Sequence, residues 1–87
     1  MEEKLTLKDG TVIPGARALL SGDLYLYADG IGMEEWFGLL IDPEKTAEIT
    51  AAQIDGTKTA YTGYTRLISV RDEGGGLMTA SLRNGGN

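Results

Sequence analysis

Cysteine and histidine are both absent from this 87-residue chain. Without thiolates or imidazoles it lacks the usual ligands of a structural zinc site. Cys–His and Ser–His–Asp nucleophile systems are excluded for the same reason. No disulfide can brace a core that, at this length, buries only about 60–65% of the surface exposed by the unfolded chain. Self-association would supply the missing buried area, so a homo-oligomer is expected. No apolar run approaches the roughly 20 residues that span a bilayer. Met1-Glu2-Glu3-Lys4 opens acidic, unlike a signal peptide. No membrane partner is expected, and residence in the cytoplasm is the default. A chain without thiols leaves the redox compartment unread.

What is present is enough for a packed core: 41% of residues are hydrophobic, which argues against disorder. The net charge of −5 is unevenly spread. Residues 1–55 hold eleven acids against four bases, whereas residues 56–87 hold two acids, Asp72 and Glu73, against four bases, Lys58, Arg66, Arg71 and Arg83. An anion-friendly patch in the C-terminal third of an acidic protein follows; ordinary solubility would produce the same imbalance. Duplex nucleic acid is disfavoured as a partner, because the overall charge repels phosphates.

Two Asp-Gly pairs punctuate the chain. Asp9-Gly10 lies between Leu5-Thr6-Leu7-Lys8 and Thr11-Val12-Ile13, a short-range hairpin signal. A two-residue loop would set Leu7 opposite Val12 and Leu5 near Pro14. Pro14-Gly15 ends that strand, Ala16 to Leu20 reads as another, and Ser21-Gly22-Asp23 as a turn. Leu24-Tyr25-Leu26-Tyr27 alternates, leucines on one face and tyrosines on the other. Met33, Trp36, Phe37 and Leu40 share one face of a helix over about residues 32–41, with Glu34 and Glu35 complementing its positive dipole end. Asp42-Pro43 stops the helix and can open one further turn, with Asp42 as N-cap and Pro43 at the first position. A strand from Glu48 to Ile54 then pairs through Asp55-Gly56 with Thr57–Thr62; continuation of the helix through Ala51-Ala52 is the alternative. Tyr64–Arg71 is the most β-prone stretch, and after residues 72–76 Leu77–Leu82 reads as its partner. Residues 84–87 read as a frayed tail. The fold class is α+β and mostly β: one domain over residues 1–87, an antiparallel sheet or a small, partly open barrel of hairpins, with one short amphipathic helix.

The candidate ligand-binding residues are Arg66, Arg71, Tyr61 and Tyr64, with Gly74 and Gly75. Guanidinium groups pair with phosphate and phenol rings stack on bases. Glycines that expose backbone N–H groups can cradle an anion, although no Lys-Ser/Thr and no helix follow Gly74-Gly75-Gly76 here. By strict alternation Tyr64 and Arg66 share a face with Ile68 and Val70, and Arg71 takes the other. Tyr25 and Tyr27, opposite the leucine face, are candidate interface residues. Trp36 and Phe37 read as core. Asp42, Glu44 and Glu48 are oxygen donors of the kind a hard cation takes, but no Asp-x-Asp-x-Asp-Gly loop is present; no metal and no cofactor are expected. Nothing pairs an acid or base with an orienting partner at catalytic spacing, so an enzyme is not expected.

At Leu7-Lys8-Asp9-Gly10-Thr11-Val12-Ile13, Asp42-Pro43-Glu44-Lys45-Thr46-Ala47-Glu48-Ile49 and Gly63-Tyr64-Thr65-Arg66-Leu67, the chain resembles small proteins carried by phages and prophages of gut Firmicutes. The resemblance implies a class and no site residue: virion parts, inhibitors that cover a host protein, or sponges that sequester a signalling nucleotide. Three expectations follow: an oligomer that traps a small anionic nucleotide between protomers in the host cytoplasm, a head or tail accessory protein, and an acidic inhibitor of a host defence protein.

Overall fold

The computed structural model describes residues 2–85. Ten elements follow one another: β1 (Lys4–Thr6), β2 (Val12–Pro14), β3 (Ala16–Ser21), β4 (Asp23–Asp29), α1 (Met33–Ile41), α2 (Pro43–Thr46), β5 (Glu48–Ala52), β6 (Lys58–Thr62), β7 (Arg66–Gly74) and β8 (Leu77–Arg83). The strands form two four-stranded antiparallel sheets, in the orders β2-β1-β5-β6 and β3-β4-β8-β7. The fold is thus α+β and mostly β, and among the described residues the strands close no barrel. The chain passes between sheets at Gly15, through the two helices, and at residues 63–65.

Both Asp-Gly hairpins close with the same bonds. Leu7 N–H donates to the Thr11 carbonyl at 2.8 Å and Gly10 N–H to the Leu7 carbonyl at 3.0 Å, while the Asp9 carboxylate accepts from Thr11 N–H at 3.0 Å. In the second hairpin Gln53 N–H reaches the Thr57 carbonyl at 2.7 Å and Gly56 N–H the Gln53 carbonyl at 2.9 Å, with Asp55 accepting from Thr57 N–H at 2.9 Å. These are three-residue loops ending in a left-handed glycine, Gly10 at φ +92° and Gly56 at φ +91°. The two-residue loop expected at Asp9-Gly10 is therefore corrected: the aspartate accepts two residues ahead and enlarges the turn. The register moves by one residue, so Leu5 faces Ile13 and Thr6 faces Val12. Leu5, Leu7 and Ile13 then all lie in the core.

The second sheet buries the middle of one face. Along the register, Leu24 lies between Leu20 and Leu82, Leu26 between Ala18 and Ala80, and Ala28 between Ala16 and Met78. Leu24, Leu26, Ala28 and Leu82 are fully buried. From the first sheet Leu5, Ile13, Ile49 and Ala51 join the same core cluster, as do Trp36 and Leu40 of α1. The Trp36 Nε1–H donates to the backbone carbonyl of Thr79 on β8 at 3.1 Å, so burial leaves the indole's one polar atom satisfied.

Helix α1 begins without a side-chain cap, and Glu34 and Glu35 occupy its first turn. Asp42 then turns extended, and its carboxylate accepts from Glu44 N–H at 2.9 Å to open α2. The single apolar face read from Met33, Trp36, Phe37 and Leu40 is divided. Trp36 and Leu40 are wholly buried, whereas Met33 is 39% and Phe37 46% exposed. Phe37 is thus not a core residue. The helix lies beside β7, and only one flank of its stripe is buried in the core.

Gly85 N–H donates to the Gly63 carbonyl at 2.9 Å, so residue 85 is held against the corner that precedes β7. Of the tail read as frayed, residues 86 and 87 lie outside the described residues.

The division of α1 predicts unequal costs. Trp36→Ala should destabilise the fold by about 3–5 kcal/mol, as large-to-small core replacements do. Phe37→Ala, at a half-exposed site, should cost less than about 1 kcal/mol. Urea unfolding followed by far-UV circular dichroism measures both; equal costs would contradict the observed rotation of the helix.

Candidate functional site

The face of the second sheet turned away from the core carries the polar and aromatic side chains. Residues paired across strands share a face, so the register defines rows. In one, Arg17, Tyr27, Thr79 and Arg71 lie abreast; in the next, Leu19, Tyr25, Ser81 and Ser69. Asp23, Arg83 and Arg66 continue the pattern at one end. All four arginines of the chain are on this sheet and all four lysines are elsewhere. Across the middle runs a shallow depression of about 410 Å³, lined by Tyr25, Tyr27, Ser69, Arg71, Thr79 and Ser81 and, at its rim, by the carboxylates of Asp23 and Glu73, which are engaged by Arg83 and Thr79.

Local chemistry explains the arrangement. The tight turn at Gly22 sets Arg17 opposite Tyr27, and the guanidinium carbon stands 5.3 Å from the ring centroid, within cation–π range. Arg17 also lies 3.7 Å from Asp29, between exposed side chains. Ser69 and Ser81 share a hydrogen bond of 2.8 Å between their hydroxyls. Arg83 grips Asp23 through two bonds, Nε–H to one carboxylate oxygen at 3.0 Å and an Nη–H to the other at 3.1 Å. The Thr79 hydroxyl donates to the Glu73 carboxylate at 3.0 Å. Among the described residues, Arg66 and Arg71 make no ion pair and no side-chain hydrogen bond. Two guanidinium groups are thus tied to acids and two are not.

The candidate residues divide accordingly. Arg66 and Arg71 lie on one face, contrary to strict alternation, because a register shift between Leu67 and Ser69 inserts Ile68 as an extra residue. A bulge of this kind reverses the side-chain parity of everything beyond it. Tyr25 and Tyr27 join Arg71 in the depression. Tyr61 does not: it pairs with the buried Ile49 in the other sheet and packs against the core. Tyr64, in the corner before β7, also packs against the core. The glycines form no cradle. β7 extends to Gly74, which pairs with Leu77, leaving a two-residue turn at Gly75-Gly76, and Gly74 N–H is already donated to the Asp72 carboxylate at 2.9 Å. An anion there would meet that carboxylate. Lys58 lies on β6 of the first sheet, apart from the arginines.

Arg17, Ser69 and Ser81 were not singled out in the sequence. The Ser21-Gly22-Asp23 turn carries a signal for Arg17, since pairing about Gly22 sets residue 17 against residue 27. No local signal exists for the serine pair, which needs the register of β7 on β8. Among the described residues no three acidic side chains come together as a metal site, and no helix is long and apolar enough to cross a membrane.

The Asp23–Arg83 pair makes a pH prediction. Hydrogen bonds from the Arg83 guanidinium, and then its charge, hold the Asp23 carboxyl below its ordinary range. A depressed folded value means that the pair stabilises above the ordinary aspartate range and is lost as pH falls through the depressed value. Carboxyl carbon NMR titration should show Asp23 protonating at lower pH than an unpaired aspartate, and Arg83→Gln should return it to the ordinary range. An unchanged midpoint in that variant would show that the pair does not form in solution.

No family model, curated protein or solved structure matches this chain.

Proposed function

We propose that this protein is a non-catalytic binding module whose outer sheet face takes a small anionic, ring-bearing ligand of the nucleotide class. One observation carries the reading: Arg71, without a carboxylate partner, stands in a depression with Tyr25 and Tyr27. A guanidinium is a bidentate partner for phosphate, and a phenol face beside it suits a planar base. The depression's volume, about 410 Å³, falls in the range of small-molecule sites. Hydroxyls of Ser69, Thr79 and Ser81 add donors and acceptors for a sugar. Strand-borne side chains are held in place by the ladder, which lowers the ordering cost of binding. The open side of the depression fits a site closed between copies of the chain. In the setting that the phage resemblance implies, such a module sequesters a signalling nucleotide, cyclic or of the ADP-ribose type, and blunts a host defence.

A second reading, a virion head or tail accessory protein, draws on the apolar side chains of α1 that the core leaves uncovered. Mass spectrometry of purified particles tests it: presence at a fixed copy number supports the reading, and absence removes it.

Titration calorimetry against mononucleotides, cyclic dinucleotides and ADP-ribose should find a member that binds. Hydrogen bonds to a charged group are worth about 1.5–3 kcal/mol, so Arg71→Ala should weaken that binding by roughly tenfold or more. Tyr27→Ala should weaken it as well, and Tyr61→Phe, in the other sheet, should leave it unchanged. No heat across the whole panel would sink the nucleotide reading.

A further inference from the structure

We propose that a second copy of this chain docks along α1 and β7, about a two-fold axis parallel to the groove between them. The interface rests on the oligomeric part of the reading above and names the surface that forms the oligomer.

At 100° per residue, Leu39, Trp36, Leu40, Met33, Phe37 and Ile41 form a continuous apolar arc of roughly 200° around α1, about twice the stripe that a one-sided surface helix needs. The core covers half of it: Trp36 and Leu40 are wholly buried and Leu39 partly so. The other half, Met33, Phe37 and Ile41, is 39%, 46% and 50% exposed. These three repeat every four residues and face Ile68 of β7, itself 42% exposed, across a groove of about 500 Å³. With large apolar side chains of about 200 Å² each, the four exposures amount to a patch of about 300–400 Å², the size of the largest apolar patch on a typical monomer, which is often a functional one. The neighbouring edge adds to it, since β7 is the outermost strand of its sheet and presents unpaired backbone groups.

Charge selects the occupant. The helix side of the groove is acidic: Glu34 lines it, and α1 carries Glu34 and Glu35 with no base. On the strand side, Arg66 adjoins the groove-lining Leu67 at the start of β7 and makes no ion pair among the described residues. In an isologous contact each side of a patch meets the partner's opposite side when the axis runs along the groove. Each copy's Glu34 then approaches the other's Arg66, and the two apolar stripes meet between them. Turning the axis across the groove would lay acidic helix on acidic helix. The same contact reaches the tyrosine depression, because Ile68 and Ser69 line both the groove and the depression. A copy seated in the groove stands at the open side of that depression.

Sedimentation equilibrium and native mass spectrometry, without added ligand, test the interface. The wild-type chain should be a dimer. Phe37→Glu should be monomeric with an unchanged circular dichroism spectrum, because Phe37 is half exposed, and should melt lower only by the stabilisation that association gave. Glu34→Arg should weaken the dimer at least about tenfold through like-charge contact, and Arg66→Glu added to it should restore the dimer. A wild-type chain that stays monomeric at all concentrations, or a dimer indifferent to Phe37→Glu, would overturn the proposal; so would failure of Arg66→Glu to rescue. The two readings fail separately. A dimer that binds no nucleotide removes the ligand alone, and a monomer that binds nucleotide removes this interface alone.

Discussion

The indole of Trp36 ties the rest of the molecule together. It is the largest side chain in the core, is wholly buried, and spends its one hydrogen bond on the backbone of β8. A nine-residue helix is marginal alone, and α1 has no side-chain cap at its start. Its position is therefore set by where the indole fits, in a core to which both sheets contribute. Once the indole is placed, the rest of the apolar arc has no freedom. Leu40 goes inward, and Met33, Phe37 and Ile41 are carried to the margin beside β7.

The same β8 carbonyl separates the two faces of the second sheet. Thr79 receives the indole through its backbone on the core side and offers its hydroxyl to Glu73 on the outer side. Leucine and alanine on one parity, tyrosine, serine and arginine on the other, make a sheet that can be solvated on one face. Such a face can be populated at low cost to folding, because its side chains do not pack. Its arginines are screened and its ion pairs contribute little to stability. They govern where an anion would rest: Arg17 and Arg83 are engaged by Asp29 and Asp23, and Arg71 is left available within the depression.

Much of the fold was legible because it is written in local chemistry. Alternation in Leu24-Tyr25-Leu26-Tyr27, the Asp42-Pro43 break, and the paired Asp-Gly turns each act within a few residues, and the elements lie near where those signals put them, the first hairpin shifted by one residue in register. The site was less legible. Tyr25, Tyr27 and Arg71 were each visible as candidates, but for separate roles, because Tyr25 and Arg71 meet only through β8, which pairs with both β4 and β7. Tyr61 and Tyr64 are close to the arginines in sequence and are drawn away from them, since Tyr61 lies on a strand of the other sheet and Tyr64 packs against the core from the corner between the sheets. One inserted residue at Ile68 brought Arg66 and Arg71 to a common face; periodicity cannot reveal a bulge, which satisfies backbone bonds across a partner strand that the local sequence does not contain.

By itself the sequence determined the period of each segment, where each one stops, and which chemistries are absent, because dihedral preference, turn bonding and missing side-chain types are properties of a few neighbouring residues. The tertiary structure alone decided the division into two sheets, the register of β7 on β8, the half of α1 that is covered, and hence which arginines stand beside which tyrosines. Those outcomes depend on filling one shared volume and satisfying one shared set of backbone bonds, and both are fixed only when strands distant in the chain are brought side by side.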